Sequence, residues 1–276
     1  MKVDRDPLPK NSRSEPDVPE VAVTDETGTA TRRPVAWTDD MLRDPHAVPD
    51  KGQRVRSMFN GIAPRYELIN SLFSLGRDAA WRKKAVRLAE ITPDDEVLDV
   101  ACGTGDFARA FHRAGPKRVV GCDFAHDMLV RAADREDGPT QWCEADALHL
   151  PFRDGTFSVT SCAFGVRNFE DLDQGLRELH RVLRPGGRTV ILEFTEPRNR
   201  AIRLLNSLYA KRFMPVAASW ISGDSNGAYR YLPKSIESFL SAGELRDRLL
   251  AAGFARVQKK PMTMGIVTIY VGRREA

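Results

Sequence analysis

Short apolar runs alternate with amphipathic stretches through most of this chain. Residues 96–101, 118–122, Thr140 to Glu144, Ser158 to Ala163 and Arg188 to Phe194 are strand-like, each run short and rich in Val, Ile, Leu or Phe. Between them, 105–114, Asp127 to Asp134 and Asp171 to Leu183 predict helices. The last opens on an acid-x-x-Gln cap, Asp171-Leu-Asp-Gln174, and stops at Pro185-Gly-Gly187. Upstream, Arg54 to Tyr66 and the stretch from Trp81 predict two helices before the turn at Pro93-Asp-Asp95. Downstream come a helical insert at 200–222, a helix from Ala242 to Gly253, and strands at 254–260 and 266–271. A short turn joins those strands, so they pair antiparallel. Strands and helices in alternation predict an α/β fold, a doubly wound and mainly parallel sheet that binds its ligand at the carboxyl edge.

The junction of the first strand and its helix, Val97-Leu-Asp-Val-Ala-Cys-Gly-Thr-Gly-Asp106, carries the first chemistry. A strand that releases its chain over a nucleotide needs such a turn. The first glycine permits the sharp bend, and the second admits the ligand where a Cβ would stand. Twenty residues past Gly103 the second strand ends on Asp123, the offset at which a carboxylate meets ribose hydroxyls. The pair points to a nucleoside.

Composition limits the rest. The chain has 276 residues, 42% of them apolar, enough for one large core. Residues 1–36 hold almost no large apolar side chain and do not repay the entropy of ordering, so residues 1–50 are expected to form a disordered extension before a domain at 51–276. No apolar segment follows the start as in a secretory leader, and none is long enough to span a bilayer. Cys102, Cys122, Cys143 and Cys162 lack metal-ligand spacing, which predicts a reduced, cytoplasmic protein without a metal. Residues 1–50 hold 7 Lys and Arg against 11 Asp and Glu, so a chain of net charge +4 leaves eight surplus positive charges on the body. Such a body suits an anionic surface, nucleic acid or lipid headgroups, or is simply that of a basic soluble enzyme.

Gly103-Thr-Gly105-Asp-Phe-Ala108 fits a dinucleotide turn as well as an S-adenosylmethionine site. The acids decide between them. Asp99 before the turn and Asp106 after it would repel a pyrophosphate and attract a sulfonium bearing an ammonium group. A further acid, Asp146 in Glu144-Ala-Asp146-Ala147, stands where an adenine amino group is met, although Asp also commonly opens turns. Asp99, Gly103, Thr104, Gly105, Asp123, Asp146 and Ala147 are therefore the candidate cofactor contacts. The Pro-Gly-Gly stretch and the antiparallel terminal pair resemble the class I S-adenosylmethionine methyltransferases, whose Rossmann-like sheet has seven strands.

The outer motifs narrow the resemblance. Tyr66-Glu-Leu-Ile-Asn70-Ser-Leu-Phe-Ser74 through Trp81, Phe164-Gly-Val-Arg-Asn168, Arg181 to Gly187, Tyr229 to Ile236 and Ala252-Gly-Phe254 resemble the menaquinone/ubiquinone-biosynthesis C-methyltransferases, over about residues 54–273. Glu67 and Asp78 stand where that family has Asp and His, and Ala163 where it sometimes has Ser. The resemblance implies methyl transfer from S-adenosylmethionine to a ring carbon of a demethylated polyprenyl quinol, 2-demethylmenaquinol, with a ubiquinone-pathway benzoquinol or another small phenol or amine as alternatives.

An ionised quinol hydroxyl pushes electron density onto the neighbouring carbon, so the enzyme has to align two reactants and favour the phenolate. Arg167 is the candidate for stabilising that charge, directly or through a water; its pKa above ~12 rules it out as a direct base. Asn168 and Tyr66 are candidates for orienting ring hydroxyls. Arg167 could instead pair with Glu170 or Asp171, and Asn168 could be a turn residue. No histidine pairs with a Ser or Cys as a nucleophile would require. Arg203 to Trp220 mixes cations with Leu, Phe and Trp. With the helices at 54–81 it predicts a quinol entrance in peripheral contact with the inner face of the membrane, or an ordinary lid helix. Nucleic acid is not expected as a partner: Phe-Gly-Val-Arg-Asn follows strand four where amino-group methylases of adenine carry Asn/Asp-Pro-Pro-aromatic. A homodimer is the candidate assembly.

Overall fold

A computed structural model describes residues 37–135, 138–197, 199–208 and 227–276. Their strands are β1 (Glu96–Val100), β2 (Arg118–Asp123), β3 (Gln141–Glu144), β4 (Phe157–Ala163), β5 (Leu183–Phe194), β6 (Arg256–Met262) and β7 (Val267–Arg273). Their helices are α1 (Lys51–Ile62), α2 (Tyr66–Ser74), α3 (Asp78–Ala89), α4 (Asp106–His112), α5 (His126–Asp134), α6 (Leu172–Arg181), α7 (Arg200–Leu208), α8 (Ala228–Glu237) and α9 (Ala242–Ala251).

The strands form one seven-stranded sheet in the order β3-β2-β1-β4-β5-β7-β6. Strands β1 to β5 run parallel, while β7 pairs antiparallel with both β5 and β6. Chain order reverses between β1 and β4, which opens a crevice at their carboxyl ends. Alternation along β1 explains its layers. Leu98 and Val100 join the core under α6 and α9, and Val97 joins the opposite core with Trp81 and Phe111. Each large aliphatic residue so buried contributes roughly 1.5–3 kcal/mol.

Three boundaries differ from the sequence pattern. The helix expected over Arg54 to Tyr66 breaks at Ala63–Arg65, because Pro64 cannot continue the ladder, and Tyr66 begins a new helix. Helix α6 ends at Arg181, and Pro185-Gly-Gly187 lies inside β5, where the register with β4 shifts between Phe157 and Val159. Residues 37–50, assigned above to the extension, pack on the domain. Trp37 and Leu42 supply the large apolar groups that residues 1–36 lack, and Trp37 stacks on Tyr231 at 4.3 Å. The predicted cap of α6 is present, with Asp171 Oδ1 accepting from the Gln174 amide at 2.9 Å. Of the insert at 200–222, residues 209–222 lie outside the described residues. No described helix is long and apolar enough to cross a membrane.

Candidate active site

Where β1 ends, the chain enters left-handed backbone at Ala101, Gly103 and Gly105 (φ 53°, 56° and 84°). Phe164, at the end of the neighbouring β4, is also left-handed at φ 58°. Two non-glycine residues held this way at adjacent strand ends concentrate strain beside the crevice. The glycine turn is tied to β2: Asp123 Oδ2 accepts from the Gly103 amide at 2.8 Å, and Oδ1 from the Ala125 amide at 2.9 Å. Burial nevertheless pushes the Asp123 carboxyl up to about 6.

Asp99 is more exposed to this cost. It is fully buried, its Oδ1 accepts from Ser161 Oγ at 2.6 Å, and its Oδ2 has no partner. Burial pushes it up to about 7. An orphaned carboxylate oxygen in a cavity that Tyr66, Arg82, Thr104 and Phe107 also line suits a cation from outside the chain.

The neighbouring groups depart from expectation in two respects. Asp106 is not free to meet an ammonium group. Its carboxylate lies 2.9 Å from Arg109, 3.4 Å from Arg135 and 3.6 Å from Arg82. Gly105 does not chiefly make room for a ligand either, since a Cβ there would come within 2.4 Å of the Trp142 ring and 2.9 Å of Arg109 Nη1. At Gly103 a Cβ would meet only the Tyr66 ring, at 3.5 Å.

Tyr66 is half-buried, and desolvation raises the pKa of its hydroxyl. Pro64 supplies the reason for its placement, since the broken helix restarts over the glycine turn. Arg167 and Asn168 sit in a single 3-10 turn, Val166–Asn168, directly after β4. Both donate to the Phe164 carbonyl, at 2.6 and 3.3 Å, beside cavity-lining Ala163. Arg167 pairs with neither Glu170 nor Asp171. Its Nη1 meets Glu193 Oε1 at 2.7 Å from β5, and both side chains are buried. Its Nε has no partner, and its guanidinium lies 5.5 Å from the Phe194 ring. Phe194, Phe164 and Trp81 form an aromatic cluster with centroids 4.6 to 6.2 Å apart. Of the three predicted residues, Tyr66 lines the cavity, while Arg167 and Asn168 are buried in the turn that follows cavity-lining Ala163.

After β3, Asp146 is exposed and its Oδ1 accepts from the Leu148 amide at 2.9 Å, a local turn that leaves further acceptor capacity. Ala147 packs against the core. Glu144, at the tip of β3, bonds His126 at 2.9 Å and Arg56 of α1 at 2.5 Å. Thr104 is buried and its carbonyl accepts from Arg109 at 2.6 Å, so its backbone shapes the turn. Sequence reasoning missed Ser161, Arg82, Glu193 and Tyr231. Only the acid in Leu192-Glu-Phe194, interrupting an apolar strand, offered a signal.

Residues 48–274 match the profile of the ubiE/COQ5 methyltransferase family. The chain belongs to that family. Among its relatives, the Thermus thermophilus protein called demethylmenaquinone methyltransferase is 46% identical over 221 residues, 79% of this chain and 100% of its own length. The Geobacter sulfurreducens protein called ubiquinone/menaquinone biosynthesis C-methyltransferase UbiE is 41% identical over 240 residues, 83% and 91% of the two chains. Solved structures agree on the fold alone. A chain from the complex between the Haloferax volcanii Trm112 methyltransferase activator and a methyltransferase superposes with TM-score 0.57 at 18% identity, over 79% of this chain and 98% of its own. One of Thermotoga maritima, titled a possible histamine N-methyltransferase, gives 0.55 at 18% over 79% and 99%. This ubiE/COQ5 member therefore keeps the seven-stranded, Rossmann-like class I sheet.

Proposed function

We propose that this enzyme methylates a ring carbon of a demethylated polyprenyl naphthoquinol, with S-adenosylmethionine as donor and residues 37–276 as one catalytic domain. The orphaned Asp99 Oδ2 beside the glycine turn carries the donor assignment. It suits the cationic end of that molecule, Asp123 suits ribose hydroxyls, Asp146 and Ala147 suit the base, and Arg82 suits a carboxylate. When bound, the donor supplies an electrophilic methyl group on sulfur.

The acceptor side follows from Arg167. Held by Glu193, its guanidinium cannot act as a base, but it stabilises negative charge developing on a quinol oxygen. The hydroxyl proton leaves to water. Methyl transfer to the adjacent ring carbon would break the methyl–sulfur bond and release S-adenosylhomocysteine, and loss of that carbon's own proton to water would restore the aromatic ring. Asn168 and Tyr66 orient the two ring oxygens, and the wall of Trp81, Phe164 and Phe194 excludes solvent around the ring. Leu75, Leu204 and Met264 are large apolar residues left exposed by the fold. They support peripheral contact with a membrane from which the tail is drawn.

The relatives' names cover menaquinone and ubiquinone pathways alike, so the acceptor is tested directly. Turnover is followed with S-adenosylmethionine and either a demethylated naphthoquinol or a benzoquinol, for the native protein and for Arg167→Gln. Naphthoquinol turnover that falls about 10²–10³-fold in the variant is expected. Equal turnover by the variant overturns the role of Arg167, and benzoquinol turnover alone overturns the acceptor.

A further inference from the structure

We propose that Lys51 and Tyr231 clamp the Val166–Asn168 turn from two sides and act as positioning residues for the acceptor half of the active site. This rests on the roles given to Arg167 and Asn168 above.

The turn needs external support. It is a single 3-10 turn between β4 and α6, held locally by the Asn168 amide on the Gly165 carbonyl at 2.9 Å and the Phe169 amide on the Val166 carbonyl at 3.2 Å. It leaves a strained residue, Phe164, at its entry. One of its carbonyls and that of the residue after it receive one cation. Lys51 Nζ donates to the Arg167 carbonyl at 3.0 Å and the Phe169 carbonyl at 2.6 Å, and lies 3.3 Å from His46 Nδ1. Three acceptors match the three hydrogens of an ammonium group. His46 is placed in turn by its Nε2, 3.0 Å from the Ser235 carbonyl.

Lys51 is 4% exposed, and burial pulls its pKa down to about 8 although Glu170 opposes the shift. An apolar side chain here would leave the Arg167 and Phe169 carbonyls without that donor, at a cost of about 1–3 kcal/mol for each buried acceptor. What the ammonium group adds is direction, fixing two carbonyls that bracket the Asn168 backbone on a segment more than a hundred residues away in the chain.

Tyr231 closes the other side. Its hydroxyl, on α8, donates to Asn168 Oδ1 at 3.0 Å, and its ring is fully buried against Trp37. With Oδ1 held by Tyr231 and one amide hydrogen on the Phe164 carbonyl, Asn168 keeps one amide hydrogen to offer an acceptor. Neither Lys51 nor Tyr231 bonds the glycine turn, Asp99 or Asp123. However, α1 also reaches the donor side through Arg56 on Glu144 and Asn60 on the Asp127 amide. Loss of the clamp and general loosening of α1 therefore give different results.

The full-length protein is tested as Lys51→Met, Lys51→Arg and Tyr231→Phe. Binding of S-adenosylhomocysteine is measured by calorimetry, and kcat and KM with a short-chain demethylated naphthoquinol. In Lys51→Met, kcat/KM for the quinol should fall about tenfold or more, as expected for a site displaced by a fraction of an ångström. Affinity for S-adenosylhomocysteine should stay within about twofold, and Lys51→Arg should recover part of the loss. Tyr231→Phe should show the same split with a smaller loss, and it decides alone if Lys51→Met does not fold. Unchanged quinol kinetics in both variants, or donor affinity falling in step with them, overturns the clamp. Arg167→Gln run alongside separates the two ideas. Undiminished turnover there removes the acceptor role itself, whereas a dead Arg167→Gln beside normal clamp variants removes only the clamp.

Discussion

The two ends of β1 treat their carboxylates in opposite ways. At the amino end, burial of Asp95 is outweighed by bonds to Arg188 at 2.7 Å and Ser158 at 2.7 Å, which hold it near 2. Burial of Glu96 is likewise outweighed, by Lys117, Arg184 and Arg118 at 3.1, 3.0 and 2.6 Å, and it too is held near 2. At the carboxyl end of β1 and the neighbouring end of β2, no cation among the described residues bonds Asp99 or Asp123; Arg82 acts on Asp99 only across the cavity, and burial outweighs it, pushing the two carboxyls up to about 7 and 6. Folding completes the charges at one edge. At the other it leaves them to be completed by a ligand.

The largest effect expected from this contrast is on donor affinity. Asp99→Asn keeps the shape and an acceptor for Ser161 but removes the charge. Affinity for S-adenosylmethionine should fall about 100-fold, the upper range for a bond to a charged group. In the native protein, affinity should rise about tenfold from pH 6 to pH 8 as a carboxyl with pKa near 7 ionises. The variant should lose that dependence. Stability carries the opposite sign. Between about pH 4 and 7 the folded Asp99 holds a proton that the unfolded chain has released, so the free protein loses stability as pH rises through that window. Calorimetric titrations across pH, with melting curves of both proteins, check each part. A flat pH profile in the native protein would sink the idea that an ionised Asp99 binds the donor.

Asp95→Asn should have the converse outcome. It leaves Arg188, 11% exposed, without its carboxylate, and should cost about 1–3 kcal/mol of stability while donor affinity stays unchanged. Chemical denaturation and the same titration separate the two quantities. The Asp95 and Glu96 carboxylates contribute stability above about pH 4 that is lost as pH falls toward 2. Acid unfolding of Asp95→Asn should therefore be shallower.

Much of the carboxyl edge was legible because its chemistry is local. The glycine turn, Asp99 and Asp123 lie within or just after two short strands, and period-two alternation fixes which face each residue takes. Tyr66 was legible as a residue but not as a helix start, although Pro64 gave the signal. What the sequence concealed depends on contacts distant along the chain. Glu193 finds Arg167 only because β5 lies beside β4, and the Pro-Gly-Gly stretch became strand because β4 accepted it across a register shift. Lys51 and Asp106 show the same difficulty in charge. A charged side chain reads as free until the fold reveals what surrounds it. The commitment of Asp106 to three arginines, two of them remote in sequence, weakens any count of acids near a glycine turn as a measure of free negative charge.

Glu96→Gln should give the smallest effect, and it tests whether partner burial, rather than carboxylate pKa, sets the energetic weight of the amino edge. Asp95 and Glu96 are both held near 2, so pKa alone predicts similar losses. Their partners differ. Lys117, Arg118 and Arg184 are 66%, 39% and 43% exposed, against 11% for Arg188. Freed from Glu96, those three cations return to water, and screened pairs of this kind contribute about 0–1 kcal/mol. The melting temperature should drop by no more than about 2–4 °C, while donor affinity stays constant. A loss in Glu96→Gln matching that in Asp95→Asn would mean that the three exposed cations act as one desolvated network with the strand end, and that the amino edge is held by collective charge instead of a single buried arginine.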